Sequence, residues 1–406
     1  MADTVSTLFT PVKLGPVTLR NRTIRAAAFE GMCPGNLPSD VLYDYHRSVA
    51  AGGIGMTTIA YAAVERSGLS FPHQLLLSKD AIPGLRRITD AVHNEGAACS
   101  IQIGHCGDMS KRAFAGRIPL APSYGINLYV PTMTHRMNSS DIQSVVKSFG
   151  NAVNLAREAG FDAVEVHAGH GYLISQFLSP YTNHRKDSYG GSLGNRSRFM
   201  LMVMDEVKRS ARNDIAVLVK TNMSDGFSGG TGIGECLEIA KMLESAGADA
   251  LVLSGGFVSR APMYVMHGKM PIKIFAHYIE NRLMSFFVRL VGGLLVKEVP
   301  FSEGYFLENA LKFRQSLNLP LVYVGGLISR QKIDEVLDKG FEMVAIARAL
   351  IKDPDFVRKL QNNELTRSEC DSCNYCIAVM YSRQAACIMN DATIPQKIKD
   401  MMPKNE

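Results

Sequence analysis

Two histidines three residues apart, His167 and His170, stand at the end of an apolar run, and Tyr172 follows in "HAGHGYLISQFLSPYTNHRKDSYGG" (residues 167–191). An imidazole pair can ligate a metal, but no carboxylate or third histidine lies at a tight spacing to complete the set. The pair can instead donate two hydrogen bonds to a carbonyl or nitro oxygen, with Tyr172 delivering a proton. The bland alternative is a satisfied structural pair; a phenol at the same strand end favours chemistry.

Three further groups carry chemical signals. Gln102 lies near the end of "IQIG" and Lys220 at the end of "VLVK". A buried amide or charge needs a partner. A Gln can both donate and accept, which suits the edge of a pyrimidine-like ring, and a nearby Lys can stabilise negative charge on it. Gly325 and Gly326 in "LVYVGG", with Ala347 and Arg348 in "AIARALI", are candidates to hold a phosphate through backbone N–H donors and a guanidinium. Cys370, Cys373, Cys376 and Cys387 form a compact four-thiolate spacing. That set suits a [4Fe–4S] cluster or tetrahedral zinc, with unligated thiols as the third reading.

These residues need a scaffold that brings strand ends together. Short β-branched runs alternate with amphipathic helical windows through most of the chain, as in "GIGECLEIAKMLESAGADALVLSGG". The strand candidates lack strict alternation, so both their faces should be buried, as in a parallel sheet. About eight such units predict an α/β fold, a (β/α)8 TIM barrel spanning 1–360. A doubly wound sheet is the alternative, but no G-x-G-x-x-G follows the first strand. The candidate residues fall where strands end: Ala27, Ala28 and Phe29; Ala60 and Tyr61; Gln102; His167 to Tyr172; Lys220; Ser254; Gly325 and Gly326; Ala347 and Arg348. A segment at 261–319 is longer than a simple βα loop and reads as an apolar cap over the substrate mouth, favouring a bulky acceptor. The cysteine-rich tail occupies 361–406.

The chain has 406 residues and a net charge of +6, with no basic block interleaved with aromatics, so nucleic acid is not an expected partner. "LMSFFVRLVGGLLV" (283–296) is shorter than the roughly 20 residues of a membrane span. It reads as a core or lid segment, or as a helix touching a membrane surface. Eight cysteines behind a start with no export pattern imply reduced thiols in a cytoplasmic protein.

"HAGHGYLISQFLSPYTNHRKDSYGGSLGNRSRF", "IQIGHCG", "LVYVGG" and "AIARALIKDP" together resemble the old yellow enzyme family of flavin-dependent oxidoreductases, over nearly all of the chain. The resemblance implies a TIM barrel with FMN at its C-terminal face, reduced by NADH or NADPH, that passes hydride to an activated alkene. It implies that Ala27, Ala28, Phe29 and Ala60 line the flavin, Gln102 and Lys220 meet its pyrimidine edge, and Gly325, Gly326, Ala347 and Arg348 hold its phosphate. His167 and His170 match the pair that grips the substrate oxygen, and Tyr172 matches the proton donor. It also implies an enone-type small-molecule substrate and a homo-oligomer. Phe29 and Asp108 depart from the family pattern, where a small polar residue and an arginine are usual. Lys220 stands where arginine is usual. The tail is similar to the cluster-binding stretch of the 2,4-dienoyl-CoA reductases and trimethylamine dehydrogenase, so an external electron donor is implied if a cluster binds. The alternatives are an amine dehydrogenase or demethylase on the same scaffold and a non-catalytic flavin- or metal-binding protein.

Overall fold

The structure is a computed structural model that describes residues 6–127, 131–279, 282–379, 384–390 and 394–402. Eight parallel strands close into a barrel: β1 (Thr23–Arg25), β2 (Met56–Ala63), β3 (Ala98–Gly104), β4 (Ala163–Ala168), β5 (Ala216–Asn222), β6 (Ala250–Ser254), β7 (Leu321–Val324) and β8 (Met343–Ile346). Val344 of β8 pairs with Thr23 of β1, which closes the ring. The runs that lack alternation are strands buried on both faces, as β2, β4, β5 and β6 show along their whole length. One face packs on the surrounding helices and the other fills the barrel. Inside the barrel, Ile24, Met56, Leu218, Val252 and Met343 pack with Leu14 and Leu19. Those two leucines belong to an antiparallel hairpin, Val12–Leu14 with Val17–Leu19, that stops the N-terminal end. The opposite, C-terminal end is left for polar residues.

The long segment after β6 divides in two. Leu307–Arg314 is a helix of the barrel's outer ring, with Ala310 and Phe313 in the main core. Before it come three helices, Pro262–Met266, Ile272–His277 and Arg282–Leu295. Ile274 packs with Tyr375, Ala378, Val379, Ile388, Ile394 and Ile398 of the tail in a small apolar core of its own. The inserted segment and the tail therefore build one substructure beside the barrel. Leu283, Phe286, Phe287, Leu290 and Leu294 of helix Arg282–Leu295 are 53–81% exposed, so its apolar face meets solvent.

Candidate active site

β4 ends at Ala168, and the chain turns tightly through His170 (φ 60°) and Gly171 (φ 80°). A Cβ on Gly171 would lie 2.5 Å from the Phe257 ring, so only glycine fits there. The Asn222 side-chain oxygen accepts the His170 N–H at 3.1 Å and fixes the turn. The turn folds the short helix Leu173–Leu178 back over the barrel end and sets Tyr172 beside the strand it has just left. The ring centroids of His167 and Tyr172 are 4.9 Å apart, those of His167 and His170 5.1 Å, and those of Tyr61 and Tyr172 5.3 Å. The expected catalytic trio is thus brought together, with Tyr61 as a fourth ring. Ala60, Tyr61, Cys106 and Met109 form an apolar floor there, against which Ala27 and Tyr172 pack.

His170 Nε2 pairs with Ser254 Oγ at 2.7 Å. His167 Nδ1 is buried with no hydrogen-bond partner among the described residues. Burial, then the charge of Lys220, brings the His170 pKa down to about 3. Burial, His170 and Lys220 hold His167 well below its usual range. Both imidazoles are therefore neutral at physiological pH and present an N–H without a formal charge. A buried polar atom with no partner is uncommon in a folded protein and marks where a ligand's polar atom would be satisfied.

Below them, three adjacent strands converge on one carboxylate. Glu165 Oε1 accepts from Gln102 Nε2 at 2.6 Å and lies 2.9 Å from Lys220 Nζ. All three side chains are about 3% exposed. Lys220 Nζ also donates to the Ala27 carbonyl at 3.3 Å, so the base of the site is tied to the β1 loop. Glu165 was missed as a site residue, although a lone acid inside the apolar run "AVEVHA" is the kind of signal that burial cost makes informative.

A second network was also missed. Arg25 Nη1 lies 2.7 Å from Glu30 Oε1, and His46 Nε2 lies 3.1 Å from the same oxygen. Glu30 also accepts the Ala60 N–H at 3.2 Å, and Arg25 donates to the carbonyls of Thr58 and Ala28. This network pins the end of β1, with Ala27, Ala28 and Phe29 just beyond it, to the middle of β2 at Ala60. Phe29 packs against Phe71 with ring centroids 4.6 Å apart and the rings tilted by 44°. Asp108 accepts hydrogen bonds from Gln176 (2.8 Å) and Asn127 (3.1 Å), while burial pushes its pKa up to about 7.

At the ends of β7 and β8, the N–H groups of Gly325, Gly326 and Ala347 have no hydrogen-bond partner among the described residues. Free donors of this kind fit a group that bears anionic oxygens. Small residues along the mouth and the buried amide and ammonium of Gln102 and Lys220 complete a donor set suited to FMN. The glycines serve packing as well: a Cβ on Gly326 would lie 2.8 Å from the Tyr305 ring. Arg348 is turned toward the tail, where it donates to Asn374 Oδ1 at 2.6 Å. Asn374 in turn donates to the carbonyls of His267 (2.8 Å) and Lys269 (3.3 Å).

The four tail thiols are neighbours: Cys370 and Cys376 each feel Cys387, and Cys373 feels Cys376. Burial pushes Cys373 and Cys376 up to about 12. Metal ligation needs side chains that converge on one point. Among the described residues, no group of three or more His, Cys, Asp or Glu side chains is placed to hold a metal ion. The described residues of the tail do not present a formed ligand set.

The NADH:flavin oxidoreductase / NADH oxidase family matches residues 7–263, well over half of the chain. A 4,4'-dithiodibutanoate disulfide reductase of Rhodococcus erythropolis is 40% identical over 95% of this chain and 96% of its own length. A multifunctional alkene reductase/demethylase of Caballeronia cordobensis is 28% identical, and this chain spans only 53% of that relative. Among solved structures, a 2-naphthoyl-CoA reductase complex aligns with a TM-score of 0.81 at 24% identity, covering 95% of this chain and 57% of that one. That last likeness speaks for the fold.

Proposed function

Since the chain belongs to the NADH:flavin oxidoreductase / NADH oxidase family, that of the old yellow enzymes, we propose that it reduces an activated C=C bond, that of an α,β-unsaturated carbonyl compound. Bound FMN, charged by NADH or NADPH, supplies the hydride. Gln102 and Lys220 hold its pyrimidine edge, and Ala27, Ala28, Phe29 and Ala60 line its ring. The free N–H groups of Gly325, Gly326 and Ala347 hold its phosphate, with Arg348 adding positive charge nearby. His167 and His170, both neutral, donate to the substrate's carbonyl oxygen. Hydride arrives at the β-carbon, negative charge grows on that oxygen, and the two N–H groups stabilise it where water is excluded. Tyr172 then protonates the α-carbon, which completes the addition of two hydrogens across the double bond.

The observation that carries this reading is the buried His167 Nδ1, unpaired among the described residues, beside Tyr172. A donor of hydrogen bonds and a donor of a proton, side by side at a barrel mouth, suit an acceptor that gains an electron pair and a proton together.

A second reading rests on the 40% identical disulfide reductase. In it, hydride adds to one sulfur of a small organic disulfide and the S–S bond breaks. The departing thiolate takes its proton from Tyr172, giving two thiols. The same residues serve both reactions. The protein, reconstituted with FMN and given NADH or NADPH, decides between them when offered 2-cyclohexenone and 4,4'-dithiodibutanoate in turn. Turnover of the enone at the higher kcat/KM supports the first reading. Turnover of the disulfide alone replaces it with the second. For the tail, equal iron and sulfide in anaerobically purified protein would support a [4Fe–4S] cluster, and one zinc per chain the alternative.

A further inference from the structure

Helix Arg282–Leu295 supplies no residue to the barrel-end site. Leu283, Phe286, Phe287, Leu290 and Leu294 recur at helical spacing and form one stripe, each more than half exposed. Single exposed apolar residues need no explanation, but five on one helix face mark an interaction site. The opposite face is fixed. A Cβ on Gly292 would come 3.0 Å from Ile272, and Ser285 Oγ donates to the Ala276 carbonyl at 2.6 Å. The helix is thus seated on helix Ile272–His277, itself part of the small core shared with the tail. Its apolar stripe is presented outward by a packed support.

Charge says what the stripe would meet. Residues 260–300 carry six basic side chains (Arg260, Lys269, Lys273, Arg282, Arg289 and Lys297) against two acids, Glu280 and Glu298. Six minus two gives +4, most of the whole chain's +6. None of the six basic side chains forms an ion pair among the described residues. Arg282 and Arg289, seven positions apart, align along one edge of the stripe, and the helix itself carries no acid. A second copy of this helix would therefore bring arginines and no carboxylate to meet them. An anionic lipid surface brings both the hydrocarbon and the phosphates. At about 21 Å the helix is too short to span a bilayer, and no described helix is long and apolar enough to do so.

We propose that helix Arg282–Leu295 docks this protein on an anionic lipid surface. The five apolar side chains enter the boundary between headgroups and acyl chains, and Arg282, Arg289 and the neighbouring lysines contact the headgroup phosphates. Co-sedimentation of the FMN-loaded full chain tests this, using vesicles of phosphatidylglycerol with phosphatidylcholine against vesicles of phosphatidylcholine alone. The wild-type protein should sediment with the anionic vesicles and be released by about 0.5 M salt, where the screening length is only a few ångströms. Phe286→Glu/Phe287→Glu should lower the bound fraction at least about tenfold. Arg282→Glu/Arg289→Glu should abolish the preference for anionic vesicles, and both variants should keep the flavin spectrum. Absence of vesicle binding by the wild-type protein overturns the proposal, as does equal binding to both vesicle types or undiminished binding by the phenylalanine variant. Light scattering identifies the rival: a wild-type dimer that ignores vesicles and is split by the phenylalanine variant makes the stripe a self-contact.

Discussion

Lys220 Nζ lies 2.9 Å from Glu165 Oε1 in a part of the barrel where both side chains are 3% exposed. Neither charge is tolerable there alone, since breaking a buried pair by removing one partner costs about 3–5 kcal/mol. Glu165→Leu should lower thermal stability strongly and also weaken FMN binding, because Lys220 and Gln102 lose the group that aims them. Adding Lys220→Met should recover much of the stability and none of the FMN affinity. Calorimetry and flavin fluorescence titration of the two variants separate these effects.

Tyr172 stands with its ring 4.9 Å from His167. Tyr172→Phe keeps the ring packing and removes the proton. The rate of acceptor reduction should fall by about 10²–10⁴-fold. Anaerobic reduction of the flavin by NADH or NADPH should stay within about twofold of wild type, because no substrate proton is needed in that half-reaction. Stopped-flow absorbance of the two half-reactions checks both values.

The pH dependence of stability has two parts. His170 is held at about 3 in the folded protein, below its ordinary value near 6.5. The unfolded chain therefore binds a proton that the native site refuses, and stability is lost as pH falls from about 6.5 toward 3. His170→Asn should remove about 2–4 kcal/mol of that acid loss. Asp108 runs the other way. Burial lifts its carboxyl to about 7, so the native state holds a proton that the unfolded chain gives up above about 4. Its contribution is full below pH 4 and declines as pH rises to 7. Asp108→Asn should therefore flatten stability across pH 4–7 and leave the protein more stable at pH 8. Urea unfolding at a series of pH values would show both slopes.

Asn374 is 1% exposed and joins three parts of the protein: Arg348 at the end of β8, the His267–Lys269 turn of the insertion, and the tail. Asn374→Ala strands the buried His267 carbonyl, at about 1–3 kcal/mol, and removes the partner of the half-buried Arg348 guanidinium. Limited proteolysis should cut the variant near residues 361–379 much faster than wild type, while the barrel fragment keeps its circular dichroism.

Much of this was legible in the residues. Strands buried on both faces read as unbroken apolar runs, and glycine stops before them mark helix ends, so eight βα units could be counted along the chain. The grouping of His167, His170 and Tyr172 was legible because the three are local, separated by one tight turn. The register of the barrel was not legible. That Glu165 meets Gln102 from β3 and Lys220 from β5 follows from which strands are neighbours, and only closure of the ring decides that. Arg25, Glu30 and His46 are separated along the chain, and their pairing likewise needs the fold.

Sequence by itself determined the barrel and the grouping of two imidazoles and a phenol at one strand end, because hydrophobic periodicity and short spacings are local properties. Tertiary structure decided where long side chains point and which apolar faces stay uncovered. Arg348 follows a phosphate-site pattern, yet it pairs with Asn374 because the tail folds back across β8. The stripe from Leu283 to Leu294 is as apolar as a core helix, and it faces solvent because Gly292 and Ser285 are the side that packs. The four cysteines have the spacing of a ligand set, and whether thiols at such a spacing converge is fixed by the path of the backbone between them, which the spacing does not contain.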